Sequence, residues 1–73
     1  MFTRLAIEGK SVLIRIKDIQ VGDRYNDLKY GMLTVQKVHP FDPKYPRSQA
    51  FETDRGHRDM DPERTMYVER ADG

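Results

Sequence analysis

Apolar and polar residues alternate most strictly over Val12-Leu13-Ile14-Arg15-Ile16-Lys17. Val12, Ile14 and Ile16 fall on one face by the period-two rule, with Arg15 and Lys17 on the other. Ile19 and Val21 carry the apolar rhythm on, and Gly22-Asp23 breaks it where a chain would leave a sheet. A weaker alternation over residues 2–8 is followed by Gly9-Lys10, and a glycine at the first central position suits a type II′ turn. The pattern therefore predicts a hairpin of 3–8 with 11–17. A helical turn at the start is the competing reading, because Leu5, Ala6 and Glu8 all tolerate helix.

From Val21 to Met32 the turn formers Gly22, Asp23, Asn26, Asp27 and Gly31 dominate. Tyr25, Leu28 and Tyr30 sit among them, so this excursion is expected to fold back with Leu28 and one tyrosine tucked in. A strand follows over 33–39. Leu33 and Val35 share a face while Val38 is out of phase, and one extra residue near Lys37 restores the phase as a β-bulge. Residues 39–48 form a second long loop with three of the four prolines, which forbid ladder pairing there. Residues 49–53 and 57–60 read as strands joined at Asp54-Arg55-Gly56, with Gly56 in a left-handed conformation. Asp61-Pro62-Glu63-Arg64 is a helix-start signal with room for one turn, predicted as 3₁₀, before a closing strand over 65–70.

The fold class that follows is all-β: a single domain over 1–73, with five to six antiparallel strands closed into a small barrel and one 3₁₀ turn before the last strand. The expected core is Ile7, Val12, Ile14, Ile16, Ile19, Val21, Leu28, Leu33, Val35, Val38, Phe51, Met60, Met66 and Val68. Seventy-three residues bury only about 60% of their unfolded surface, so the core is thin. Cysteine is absent, which removes disulfides, thiol nucleophiles and thiolate zinc sites and fits a reducing compartment. Residues 1–8 lack the apolar run of a signal peptide. The longest apolar run is three residues, Val12 to Ile14, far short of a membrane span. A cytoplasmic protein is expected.

Net charge is +1, from 13 basic and 12 acidic side chains. A sequence-blind nucleic-acid binder is normally far more basic. The charge is uneven, however: residues 1–58 sum to +4 and residues 59–73 to −3.

The order of strand, long loop, strand, second loop, hairpin, turn and closing strand resembles a small SH3-like barrel. Lys17-Asp18-Ile19-Gln20-Val21-Gly22-Asp23, with Thr34-Val35 on the next long strand, is similar to the opening of many short uncharacterised proteins of actinobacterial phages and their hosts. The resemblance spans residues 12–70 and implies a fold and a biological setting rather than a site. The chain departs from the plainest such barrel in its amino-terminal segment and its proline-rich loop.

Four chemistries have candidate residues. For catalysis, His39 and His57 are the two histidines, and Glu52, Arg55 and Arg58 lie near His57 in sequence. Histidine, arginine and glutamate together can cleave phosphodiesters, as in small ribonuclease toxins. For metal, His57, Asp59 and Asp61 alternate, but same-face residues lie about 7 Å apart along a strand, too far to converge. No cofactor and no metal is expected. For nucleic acid, Phe41 and Tyr45 are interleaved with Lys44 and Arg47, the equipment of single-strand binders. For protein, Tyr25, Tyr30 and Tyr45 lie on the two long loops, and tyrosine and arginine dominate binding hot spots. The reading that follows is a non-catalytic accessory or adaptor protein of phage origin. It would bind a host protein through Tyr25, Tyr30, Phe41, Lys44, Tyr45 and Arg47. A nucleic-acid module comes second and a ribonuclease-like toxin third. An edge strand could also pair with a second copy to give a homodimer.

Overall fold

The structure, a computed structural model, describes residues 10–70. Six antiparallel strands make up one sheet: β1 (Lys10–Arg15), β2 (Arg24–Asp27), β3 (Gly31–Val38), β4 (Gln49–Thr53), β5 (Gly56–Met60) and β6 (Thr65–Arg70), in the order β1-β6-β2-β3-β4-β5. The all-β expectation and the strand number hold. Closure by strand pairing does not: among the described residues β1 and β5 remain edges. The expected strand over 3–8 lies outside the described residues, as does Ile7. Among the described residues no helix is long and apolar enough to cross a membrane.

The strict alternation over 12–16 works as read. Ile14 and Ile16 are buried and Val12 packs against the same core from its partly buried position. β1 pairs along its whole length with β6, from Lys10 opposite Arg70 to Arg15 opposite Thr65. The strand then ends at Arg15, and Ile16–Asp18 form a 3₁₀ turn, closed by Ile19 N–H donating to the Ile16 carbonyl at 3.0 Å. The 3₁₀ turn expected before β6 is thus found after β1 instead. Asp61–Arg64 makes a tight turn in which Asp61 Oδ1 accepts the Glu63 amide at 2.9 Å, the cap the sequence signals. It stops there because the Pro62 and Arg64 carbonyls accept the amides of Lys17 (2.9 Å) and Ile16 (2.8 Å). A cross-chain contact has replaced helical propagation.

The phase slip in β3 is a β-bulge, with the register to β4 shifting between Val35 and Lys37. Leu33 and Val35 are buried before it and Val38 packs on the same core after it. Gly56 has φ +109°. No atom outside its neighbours would touch an added Cβ, so a side chain there is opposed by backbone strain alone.

The excursion 21–32 differs most from expectation. It contains β2, with Tyr25 opposite Leu33. Tyr25 is buried, but Leu28 is fully exposed and Val21 is 64% exposed. The reason is a buried polar group. Asp23 turns inward at 1% exposure, and its carboxylate holds the Gln20 amide at 2.9 Å. Val21 lies in the turn with Gly22 and faces out, while Asp23 and Tyr25 resume the inward phase of Ile19. The core is then Ile14, Ile16, Ile19, Tyr25, Leu33, Val35, Phe51 and Val68, with Val12, Val38, Met60 and Met66 packed at its margin.

Candidate functional site

Tyr25 and Tyr30 flank the β2–β3 turn, whereas Phe41, Lys44, Tyr45 and Arg47 lie on the β3–β4 loop. These two loops leave opposite ends of β3. Eight residues separate them, about 26 Å of extended chain. The candidate residues of the two loops are therefore held at opposite ends of that strand. The six candidate residues fall into two groups, and Tyr25 changes role: it is a core residue, 4% exposed.

The proline-rich loop orders itself. Asp42 accepts the amides of Lys44 (through Oδ1, 2.9 Å) and Tyr45 (through its carbonyl, 2.9 Å). Arg47 pairs with Asp61 at 2.9 Å. Phe41 and Tyr45 are 49% and 63% exposed, so turns and an ion pair, rather than the aromatic rings, hold this loop in place. The Arg47 side chain nevertheless remains largely exposed.

The other group is built differently. Tyr25, Leu28, Met60, Met66 and Tyr67 line a groove of about 460 Å³ together with the polar Asn26, Asp27, Lys29 and Arg64. The β2–β3 turn forms one wall. Its shape comes from Asp27, whose Oδ1 accepts the amides of Lys29 (2.7 Å) and Tyr30 (3.1 Å). Those two amides, then the Arg58 and Lys29 charges, hold the Asp27 carboxyl below its usual range. Beside the groove, Lys29, Arg55 and Arg58 surround the Tyr30 ring at 5.3, 5.6 and 5.4 Å from its centre, each a cation–π contact. Lys29, Arg55, Arg58 and Arg64 form no ion pair among the described residues. By contrast, Arg15, Lys17, Arg24, Arg47 and Arg70 all do.

The floor of this groove is Tyr25. Its ring meets Phe51 edge-on, with centroids 6.2 Å apart at 76°. Its hydroxyl is buried without a hydrogen-bond partner among the described residues. Burial pushes the phenol above its ordinary 10.0, and the Asp27 charge adds to this, against the charge and close side-chain approach of Arg58 and the charge of Arg64. A folded-state pKa above the unfolded one means that the folded chain keeps its proton longer. Stability is then lost as pH rises from the unfolded value near 10.0 through the folded one. Tyr25→Phe is expected to remove this alkaline loss and to change stability little at pH 7, since the hydroxyl makes no well-aligned hydrogen bond that would be lost. Denaturant midpoints measured at neutral and alkaline pH check both outcomes.

A broader depression of about 850 Å³ runs along Leu13, Arg15, Lys17, Gln20 and Arg70. Its cations are already engaged, Arg15 and Lys17 by Glu63 and Arg70 by Asp23, which leaves little to recognise a ligand.

A second constellation lies on the other face of the β4–β5 hairpin. His39, Glu52 and His57 place their ligand atoms within 4.8 Å of one another. The alternating set His57, Asp59 and Asp61 is not used in this way: Asp59 accepts the Ser48 hydroxyl, and Asp61 caps its turn and pairs with Arg47. Sequence spacing points to Glu52 near His57. It holds no sign that the β3 bulge delivers His39 to the same place. Leu28, Arg64 and Tyr67 likewise carry no sequence signal as groove residues, and Met60 and Met66 read as core.

Compared with known proteins, the chain matches no family model, no curated protein and no solved structure.

Proposed function

We propose that this chain is a non-catalytic binding module, an SH3-like barrel in which the curled sheet brings Met60 of β5 beside Met66 of β6, and that it captures an acidic, partly apolar segment of a partner protein. The observation that carries this reading is the groove over Tyr25. Leu28, Met60, Met66 and Tyr67 offer apolar contact and Lys29 and Arg64 line the same groove, with Arg58 beside it over Tyr30; none of these three cations forms an ion pair among the described residues, and they outnumber the one carboxylate of the lining, Asp27. Aliphatic and thioether side chains suit apolar side chains of a peptide and adapt to them. Base stacking needs aromatic platforms along a basic track, and the near-balanced net charge does not favour a nucleic-acid partner. The resemblance to phage proteins makes a cytoplasmic host protein the expected source of such a segment. Pairing of copies through β5 is disfavoured, because that edge carries Arg58 and Asp59, and charged edges deter it.

The test is an NMR titration with three probes: a peptide of alternating leucine and glutamate, the same peptide with lysine for glutamate, and oligothymidine. The acidic peptide is expected to shift the Leu28, Met60 and Met66 methyls. Arg58→Glu with Arg64→Glu should weaken it at least tenfold, about 1.4 kcal/mol, whereas Lys44→Ala with Arg47→Ala should not. Binding that maps to Phe41–Arg47 overturns this reading, and steeply salt-dependent binding of oligothymidine establishes the nucleic-acid alternative instead.

A further inference from the structure

His39, Glu52 and His57 come from three neighbouring segments of the sheet. In β4–β5, Glu52 lies directly opposite His57, a pairing that sets their β-carbons about 5 Å apart. In β3–β4 the bulge sets Lys37 opposite Glu52. His39, two residues on, returns to the same face, and its amide donates to the Ala50 carbonyl at 3.1 Å, which extends the ladder. The Gln49 side chain then donates to the His39 carbonyl at 2.8 Å and holds that backbone in place.

The side chains have already converged. His39 Nε2 lies 2.8 Å from Glu52 Oε2, and the two imidazole rings are 5.9 Å apart, tilted by 39°. We infer that these three residues form a binding site for a divalent transition-metal ion of the zinc class. Two imidazoles and one carboxylate are a donor set that zinc accepts, with bonds of about 2.0–2.2 Å. Tetrahedral ligand atoms at that radius are about 3.4 Å apart. The widest separation here is within 4.8 Å, so about 1.5 Å of side-chain adjustment closes the set. His39 and Glu52 are half-buried and His57 is exposed, so rotamer changes of that size are open to them.

The donor chemistry selects the ion. Calcium and magnesium require shells of oxygen, and this set has nitrogen in two of its three positions. Lys37 faces Glu52 in register but forms no ion pair with it among the described residues, so the carboxylate charge is not spent on it. Three protein ligands leave a fourth position open to solvent. Glu52 and His57 alternate with Phe51 and Arg58 along their strands, so this site and the groove occupy opposite faces and stand independently.

The chain contains two histidines and no cysteine, so an imidazole-dependent response to zinc has one origin. The experiment uses the full, untagged chain, stripped with chelator and titrated with zinc chloride by calorimetry, with cobalt(II) absorption as a second readout. One ion per chain is expected, with both imidazole NMR signals shifting. His57→Ala, at an exposed position, and Glu52→Gln should each weaken binding at least tenfold, the first with the melting temperature of the metal-free chain unchanged. Failure to take up millimolar zinc, or uptake indifferent to both substitutions, overturns the inference.

Discussion

An Asp23→Ala chain is expected to lose about 3–5 kcal/mol of stability, the usual cost of removing one partner from a buried ion pair. Small domains hold only about 5–15 kcal/mol in total, so this one change removes a large share of the stability available. Asp23 is 1% exposed. Arg70 grips it with two parallel bonds, Nε to Oδ1 at 2.9 Å and Nη2 to Oδ2 at 2.8 Å, and these bonds raise the guanidinium pKa further above its ordinary value. The Gln20 amide makes a third bond to Oδ2, and Arg70 reaches on to the Asp18 carbonyl at 3.2 Å. The backbone is committed as well: the Asp23 carbonyl accepts the Val35 amide, and Gly22 N–H donates to the Val35 carbonyl, both at 2.8 Å. One residue thus ties the end of β6, the turn before β2 and the middle of β3. Asp23→Asn should cost less, because it keeps the shape and some of the bonds. Urea midpoints for Asp23→Ala, Arg70→Ala and the double variant form a cycle, in which the double loss should fall well short of the sum. A loss under about 1 kcal/mol in the first variant would mean that solvent replaces the pair at no great cost.

Features set by local chemistry are legible in the order of residues alone. The bulge in β3 shows itself as a slip between Val35 and Val38, since a half-buried strand tolerates no phase error. Asp61 reads as a cap and Gly56 as a turn with positive φ, because both depend on the residues beside them. What stays hidden depends on pairing between distant segments. Asp23 looks like an ordinary turn former. Its burial requires Arg70, 47 residues away, to reach it from the last strand. Once Asp23 turns inward, Tyr25 follows and Leu28 is left outside, the reverse of what apolar content suggests for Leu28. The 3₁₀ turn sits at Ile16 rather than Asp61 for a similar reason, as the amides of Ile16 and Lys17 take the carbonyls at Pro62 and Arg64. The candidate sites are hidden at the same level. The groove needs β5, β6 and the β2–β3 turn to meet, and the histidine pair needs the register of three strands.

Phe51→Ala is the second large effect, expected at about 3–5 kcal/mol. Phe51 has no exposed surface and lies mid-way along β4, opposite Val38 on one side and Arg58 on the other. It is the largest of the fully buried side chains among the described residues, so little around it can collapse into the space it leaves. It also meets Tyr25 edge-on at 6.2 Å, a geometry that adds about 0.5–1.5 kcal/mol to the burial itself. That contact links the core to the groove, because the ring behind Tyr25 supports the residue that lines the groove with Leu28 and Met66. Phe51→Leu, which keeps much of the volume, should fold and expose the consequence. Loss of the edge-on contact is expected to loosen the Tyr25 side chain and wet its hydroxyl, and burial is the largest cause of its raised pKa. Its titration, followed by phenolate absorbance against a Tyr25→Phe reference, should therefore move back towards the ordinary value. The acidic peptide should bind more weakly to the same variant, although no exposed groove residue has been changed. A Tyr25 titration that stays in place in Phe51→Leu would show that the remaining core, rather than the edge-on contact, keeps the groove floor dry.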